Sequence, residues 1–234
     1  MAILGADNAS TLKRSVTLTE QVVDAILRGA IERRIPFGAR LVEAEIAKEL
    51  NVSRVPVREA LRLLCSQGLV ENRPYKGMCL ITVDERMLEE TLTVRHHLEI
   101  LAVTRAIKNL RAGRARLLGL QAALEQMRIA YESGAASDMA AGDVGFHRAI
   151  LRMADSDTLL FMWETLARKF QMIVGIAWYS TDQKRIYDQH VELMKLFEAR
   201  ELAPLLTALE PHIMEGLEVG PMGGIDSIKL KTAS

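Results

Sequence analysis

The sequence of 234 residues has few cysteines, few aromatic residues and no excess of charge of either sign. Only Cys65 and Cys79 are present, both in apolar sequence, which excludes a disulfide-stapled scaffold and indicates a reducing compartment. Because Lys and Arg number 30 and Asp and Glu also number 30, the chain as a whole is not a polybasic or polyacidic protein. Hydrophobic residues make up 49% of the chain, which is enough to build a folded core.

Long apolar runs are also missing. No stretch reaches the ~18 uninterrupted apolar residues of a membrane span, and the most apolar segment, residues 170–178, is about half that length. The first ten residues, MAILGADNAS, lack the basic start and the apolar run of a signal peptide. We therefore expect a cytoplasmic protein that makes no contact with a membrane.

The first third of the chain has the pattern of a small DNA-binding domain. Helices are predicted for residues 17–33, where Thr17 and Glu20 form a capping box, for a short segment ending near Leu50, and for a segment that starts at the N-cap Ser53. Two strand-like runs, 69–72 and 78–81, follow and are separated by the turn sequence 73–77. Three helices followed by a hairpin with a basic tip predict a winged helix-turn-helix.

The third predicted helix carries the residue types that DNA recognition needs. A helix that enters the major groove needs small or donor residues at its start, and arginine for guanine edges and phosphates. Ser53, Arg54 and Arg58 supply these groups. The alternative is an ordinary solvated basic face on a helix, but the agreement of the whole domain pattern favours DNA binding.

Residues 41–77, and above all 52–61 (VSRVPVREAL), closely resemble the DNA-binding domain of the GntR family of bacterial transcription regulators. The resemblance implies that Arg54 and Arg58 are the main DNA contacts and that Lys76 and Gly77, at the wing tip, reach the neighbouring minor groove. It also implies a homodimer bound to a palindromic double-stranded operator. The charge distribution agrees weakly, since residues 1–83 hold 12 basic and 9 acidic residues while residues 84–234 hold 18 and 21.

Beyond residue 83 the sequence shows helical periodicity without strand alternation. Helices are predicted at 84–108, 114–133, 137–153, 156–179, 181–199 and 202–218, with breaks at glycines and at clusters of capping residues. Four methionines on apolar helix faces are predicted to fill the core: Met153, Met162, Met172 and Met194. Trp163 and Trp178 are predicted in the core or a dimer interface. The fold class is therefore mainly α, with a winged helix-turn-helix followed by an all-α antiparallel bundle.

Four side chains in the later helices have the spacing of a metal site. Asp143 and His147 lie one turn apart on one helix face, and His190 and His212 fall on two later helices that a bundle can bring to the same interior point. The pattern resembles the FCD ligand-binding domain of the FadR-type GntR subfamily over about residues 84–218. The resemblance implies that these four residues bind a divalent metal ion. Three imidazoles and a carboxylate suit Zn²⁺ best, and also Ni²⁺, Mn²⁺ or Fe²⁺.

The resemblance further implies that a small organic acid is sensed at this site. Arg95 is the candidate that clamps the carboxylate of this effector; an ion pair with Glu99, four residues later, is an equally weighted alternative. We predict that the protein is a transcription regulator, with a repressor preferred over an activator. The effector controls its affinity for the operator. The predicted segments are an N-terminal tail (1–15), the DNA-binding domain (16–83), the effector-binding domain (84–218) and a C-terminal tail (219–234).

Two other functions are compatible with the same residues. The four ligands could form a purely structural site, or a site that senses the metal itself. The bundle could instead be a metal-dependent enzyme, but the sequence contains neither an HExxH motif nor paired catalytic carboxylates beside the ligands. We therefore predict that the protein is not an enzyme.

Overall fold

The computed structural model describes residues 17–178, 183–214, 218–219 and 228–229, and the chain divides into two compact units, Met1–Val83 and Asp84–Ser234. The predicted N-terminal tail lies outside the described residues, as does most of the predicted C-terminal tail. Within the described part, no helix is both long and apolar enough to cross a membrane.

The first unit contains the three helices and the hairpin that the sequence predicts. The elements are α1 (Leu18–Ile31), α2 (Glu43–Glu49), α3 (Arg54–Ser66), β1 (Val70–Arg73) and β2 (Gly77–Leu80). The two strands pair antiparallel, with Val70 opposite Leu80 and Arg73 opposite Gly77. This arrangement confirms the winged helix-turn-helix.

Local capping and turn chemistry set the ends of these helices. The hydroxyl of Thr17 accepts a hydrogen bond from the amide of Glu20 at 3.2 Å and so caps α1. Asn51, a residue type that tolerates left-handed backbone, has φ 53° in the tight turn between α2 and α3. Ser53 occupies the N-cap position of α3, but its hydroxyl makes no capping hydrogen bond.

In the described part of the second unit, the structure contains the six helices that the sequence predicts. They are α4 (Glu85–Arg111), α5 (Leu118–Ser133), α6 (Ala136–Met153), α7 (Asp157–Trp178), α8 (Gln183–Ala199) and α9 (Leu202–Met214). The start of α5 lies four residues later than expected, because Gly113 has φ 71° and the amides of Arg114 and Ala115 both bond back to the carbonyl of Asn109. These bonds hold a turn where a helix was predicted.

The end of the second unit differs from the prediction. Of the expected helix 202–218, the structure describes Leu202–Met214 as helix, whereas residues 218–219 form a strand, β3 (Glu218–Val219), that pairs antiparallel with β4 (Ile228–Lys229). Strands of two residues are too short to produce a recognisable alternation, so periodicity could not reveal them.

The core of the second unit includes most of the predicted methionines but not Met162. Met153, Met172 and Met194 are buried, whereas Met162 is 51% exposed next to Phe161, which is 69% exposed. The reason is helical geometry: Trp163 and Leu159 face the core, so the residues between them point outward. The prediction for Met162 was wrong. Trp163 is in the core, and the side chain of Trp178 lies outside the described residues.

A close contact between two helices sets the depth of α6. A Cβ atom at Gly142 would lie only 2.6 Å from Cγ of Met127 on α5, so only glycine permits this approach. Asp143, the next residue, and His147, one turn later, are buried as well. The helix that approaches α5 closely at Gly142 therefore also carries two ionisable side chains in the interior of the bundle.

Candidate metal centre and candidate nucleic-acid interface

The four predicted metal ligands meet at one interior point of the second unit. Asp143 and His147 come from α6, His190 from α8 and His212 from α9, and one ligand atom from each lies within 4.8 Å of all the others. Asp143, His147 and His190 are buried, and His212 is half-buried. Three helices that are separate in sequence therefore converge on one cluster.

The distances between ligand atoms suit a small divalent ion. Nε2 of His190 lies 3.1 Å from Oδ1 of Asp143, and Nε2 of His147 lies 3.5 Å from the same oxygen and 3.1 Å from Nε2 of His212. Two ligand atoms about 2.1 Å from a tetrahedral Zn²⁺ ion lie about 3.4 Å apart. The donor set and its spacing fit the metal that the sequence predicts.

The proton positions on His190 strengthen this fit. Nδ1 of His190 lies 2.8 Å from the carbonyl oxygen of Ile186, which can only accept, so Nδ1 carries a proton. Nε2 of the same ring lies 3.1 Å from Oδ1 of Asp143. A histidine held through Nδ1 by a backbone carbonyl keeps Nε2 available as a metal ligand.

A carboxylate behind His147 orients the second imidazole. Nδ1 of His147 donates to Oε2 of Glu99 at 2.5 Å, which leaves Nε2 facing the cluster. Oε1 of Glu99 accepts hydrogen bonds from Nε of Arg95 at 2.8 Å and from Nε1 of Trp163 at 3.0 Å. Histidines that bind metals commonly donate their other nitrogen to a carboxylate in this way.

Sequence reasoning named Glu99 only as a partner of Arg95 and missed its contact with His147. A signal was nevertheless present. Glu99 and Arg95 interrupt a helical stripe of α4 that is otherwise apolar and includes Ala102 and Ala106. Charged residues on a buried stripe need partners on the facing helices.

Both buried carboxylates of this cluster are ionised. Burial alone would raise the pKa of Glu99, but the charges of His147 and Arg95 outweigh burial and bring that pKa to about 2. Burial likewise acts to raise the pKa of Asp143, and the charges of Arg95 and His147 hold it well below its usual value. The centre therefore presents a permanent negative charge to its histidines.

The histidines respond to their surroundings in opposite ways. Burial, together with the neighbouring rings of His190 and His147, lowers the pKa of His212 well below its usual value, so this imidazole is neutral. Burial also acts to lower the pKa of His147, but the charge of Glu99 outweighs it and the net shift is upward. The negative charge that favours a proton on His147 is the same charge that favours a divalent cation at the cluster.

Arg95 contacts both carboxylates. Its side chain is 4% exposed, Nε bonds to Glu99 and Nη2 lies 3.3 Å from Oδ2 of Asp143. The ion pair that was weighed against an effector clamp is therefore formed. The same guanidinium also reaches a predicted metal ligand and lies over the ring of Phe170, 5.1 Å from its centroid.

The predicted DNA-contacting residues lie on the surface of the first unit. Ser53, Arg54 and Arg58 are exposed at the start of α3, Lys76 is exposed in the hairpin turn, and Gly77 is half-buried beside it. Gly77 has φ 75°, a conformation that glycine adopts without strain, and it closes the wing opposite Arg73.

Arg58 has a partner that sequence reasoning did not identify. Its Nε lies 3.1 Å from Oε1 of Glu43 on α2, and its Nη2 lies 3.0 Å from Oε2. The hydrogen bond from Arg58 also lowers the pKa of Glu43, which keeps this carboxylate charged. The pair occupies the Nε and Nη2 edge of the guanidinium and so orients the Arg58 side chain on α3. Nη1, on the other edge, is not used by Glu43.

Family comparisons match both units of the chain. The model of the bacterial regulatory proteins, gntR family, matches residues 18–80, and the FCD domain model matches residues 90–215. The second match alone spans more than half of the chain.

Individual relatives agree with the family matches. The chain is 30% identical to a probable D-xylose utilization operon transcriptional repressor of Paenarthrobacter nicotinovorans, over 94% of this chain and 97% of the relative. It is 28% identical to the gluconate operon transcriptional repressor of Bacillus subtilis (strain 168), over 80% of this chain and 76% of that one. Among solved structures, E. coli McbR/YncC is similar with a TM-score of 0.69 and 25% identity, over 85% of this chain and 94% of that chain.

The contact between Glu99 and His147 leads to a prediction about metal affinity. In Glu99→Gln the charge that orients His147 is lost, and we expect divalent-metal affinity to fall by roughly 10- to 100-fold. Competition of the purified protein with a chromogenic chelator measures the change.

Glu164→Gln is the matched control, because Glu164 pairs with Arg148, which is not a predicted ligand, and undergoes the same chemical change. Trp163→Phe removes a hydrogen bond to Glu99 but keeps the carboxylate charge, and should cause a smaller loss of metal affinity. If a folded Glu99→Gln protein, verified by circular dichroism, binds metal as tightly as the parent, Glu99 does not orient a ligand.

Proposed function

Since the chain belongs to the gntR family of bacterial regulatory proteins and carries an FCD domain, we propose that a small carboxylate effector controls its affinity for DNA. Its relatives are transcriptional repressors and not enzymes, and the protein is a transcriptional regulator of the same kind. In the proposed function, the first unit binds a palindromic operator in the cytoplasm. The effector binds beside a divalent metal ion in the second unit.

The observation that carries the metal proposal is the convergence of one ligand atom from each of four side chains, all within 4.8 Å of one another. Nε2 of His190 and Oδ1 of Asp143, for example, lie 3.1 Å apart, while Nδ1 of His190 contacts the carbonyl of Ile186. Asp143, His147, His190 and His212 would hold the ion, with Zn²⁺ first among the candidates. When bound, the ion would supply a Lewis acid for an effector oxygen.

Charge in the bundle supports an anionic effector. The described buried side chains at the cluster include two carboxylates, Glu99 and Asp143, and one guanidinium, Arg95. With a divalent ion and neutral imidazoles, this cluster would carry one net positive charge in a low-dielectric interior, and a single carboxylate neutralises it. We keep Arg95 as the residue that attracts this carboxylate, because its guanidinium already lies at the centre.

The names of two relatives narrow the effector class. The Bacillus subtilis repressor is named for a gluconate operon and the Paenarthrobacter repressor for D-xylose utilization. Gluconate is a sugar acid whose carboxylate and neighbouring hydroxyl are both oxygen donors. We therefore propose sugar acids and other small hydroxycarboxylates as the first effectors to test.

Control of DNA binding follows from linkage. If the effector binds best to a conformation in which the two DNA-binding units of a dimer no longer match the half-site spacing, operator affinity falls. The decrease equals the ratio of effector affinities for the two conformations, and the operator lowers effector affinity by the same factor. We propose that the effector relieves repression.

Exposed apolar side chains on the second unit support a homodimer. Val94 and Leu101 on α4 are about half exposed and lie seven residues apart, which places them on one helix face. Phe161 and Met162 add a second exposed apolar pair on α7. Large apolar residues that cluster on exposed faces mark surfaces that a partner covers, and we propose a second copy of this chain as that partner.

Metal removal tests the sensing site. We expect the purified protein to contain about one divalent ion per chain and to be thermally stabilised by gluconate or a related acid, with no stabilisation after chelator treatment. A thermal-shift screen of mono- and dicarboxylates, run with and without a chelator and paired with elemental analysis, measures both.

His190→Ala is the matched variant for this screen. It should contain less metal and should need a higher acid concentration to release DNA, whereas metal content equal to that of the parent would remove His190 from the site. Stabilisation by acids that survives the chelator would favour the second candidate, a structural or metal-sensing site with the effector bound elsewhere.

Arg58 tests the DNA interface. Arg58→Ala should abolish binding to duplexes that the wild-type protein selects from a random library, because a major-groove contact and a phosphate partner are lost. Metal content and helicity should stay unchanged. Fluorescence anisotropy at several salt concentrations measures affinity, and wild-type affinity should fall steeply with salt.

Arg62→Ala is the matched control, since Arg62 lies one turn further along α3 and pairs with the neighbouring Glu59. We expect this variant to lose only a few-fold in affinity. If Arg58→Ala binds the selected duplexes like the parent, α3 is not the recognition helix.

The proposed dimer surface leads to a separate prediction. Phe161→Glu should shift the protein from dimer to monomer in sedimentation velocity and weaken operator binding, because a charge would be buried without a partner. Leu118→Glu changes an equally exposed apolar residue on α5 (67% against 69% exposed) and should leave the dimer intact. A dimer that persists in Phe161→Glu would move the interface away from α7.

A further inference from the structure

The wing tip carries the most exposed large apolar side chain of the described residues. Tyr75 has a relative exposure of 107%, compared with 69% for Phe161 and 66% for Val55. It lies in the turn between β1 and β2, next to the exposed Lys76. Its phenol ring therefore gains no stability from packing against the residues that the structure describes.

The backbone at Tyr75 has a conformation that disfavours such a side chain. The amide of Lys76 bonds to the carbonyl of Arg73 at 3.1 Å, so residues 73–76 form a β-turn with Pro74 in its second position. Tyr75, in the third position, has φ 63°. A turn with proline second and positive φ third favours glycine or asparagine in the third position.

Tyr75 differs from the other non-glycine residues with positive φ in the described part of the chain. The other four, Arg33, Asn51, Asp155 and Arg200, are polar, and asparagine and aspartate tolerate the left-handed region well. Tyr75 is the one aromatic residue among them. A strained residue without a packing role is a candidate for a functional role.

We propose that Tyr75 contacts operator DNA at the edge of the minor groove beside the half-site that α3 reads. This inference rests on the proposed DNA binding of the first unit. The turn holds the phenol away from the hairpin and next to Lys76, whose charge attracts phosphates. The ring lies against the sugars, and the hydroxyl donates to a base acceptor of the groove floor, which every A·T pair offers.

A consequence for base preference follows. A G·C pair places an amino group on the minor-groove floor, where it obstructs a donor hydroxyl. Wild-type protein should therefore prefer A·T pairs at the positions under the wing, and part of this preference should depend on the hydroxyl of Tyr75. Tyr75 is thus a residue that determines specificity outside the recognition helix.

The decisive experiment compares Tyr75→Gly, Tyr75→Phe and wild type on a duplex that the wild-type protein selects from a random library. Glycine relieves the positive φ, so Tyr75→Gly should have an unchanged or higher melting temperature and roughly tenfold weaker DNA binding, the scale of one lost contact. Opposite effects on stability and affinity are not produced by a purely structural role. Tyr75→Phe should keep part of the affinity and lose preference for A·T pairs under the wing.

Arg200→Gly is the matched control, because it relieves a positive φ at an exposed residue of the second unit. It should leave operator affinity unchanged. If Tyr75→Gly lowers both the melting temperature and the DNA affinity, Tyr75→Asn separates the two effects, because asparagine tolerates the turn. Weaker DNA binding by Tyr75→Asn at a normal melting temperature supports the contact between Tyr75 and DNA.

Wild-type affinity in Tyr75→Gly or in Tyr75→Asn overturns the proposal. If the wild-type protein selects no duplex at all, the proposed DNA binding fails, and this result is distinguishable from a failure of the Tyr75 contact alone.

Discussion

The second unit depends on the burial of two carboxylates, Asp143 and Glu99, in the middle of a helical bundle. An unpaired carboxylate in such a place would cost several kcal/mol, so each needs positive or donor groups supplied by other helices. Arg95 contacts both carboxylates, and His147 and Trp163 donate to Glu99. This network fixes the rotation of α4, α6 and α7 about their axes, because a helix rotated by one residue would leave a carboxylate without its partner.

The same network prepares the site for its proposed ligand. Once Nδ1 of His147 and of His190 are used by Glu99 and Ile186, the remaining nitrogen of each ring points to the centre of the cluster. The pKa of Asp143 stays far below its usual value and His212 is neutral, so the protonation states of these two residues already suit a cation. Preorganisation of this kind lowers the cost of binding, because neither Asp143 nor His212 has to lose a proton when the ion arrives.

The first unit follows a different physical principle. Its proposed DNA-contacting side chains are exposed, and an exposed ion pair such as Arg58 with Glu43 contributes little to stability. Glu43 instead orients Arg58, because its hydrogen bonds restrict the positions that the guanidinium can take. A tight turn with positive φ similarly holds the ring of Tyr75 in solvent, where the proposed contact with DNA would form.

By itself, the sequence determined the elements that depend on local chemistry. The periodicity of α1 to α9, the cap at Thr17, the hairpin and the i, i+4 pair of Asp143 and His147 all follow from neighbours within a few residues. Only the tertiary structure decided which distant groups meet. The contact of Glu99 with His147, the contact of Arg95 with Asp143 and the pairing of β3 with β4 join residues that lie far apart along the chain. Periodicity carries no signal for such contacts, because the packing of the elements sets the distances between them.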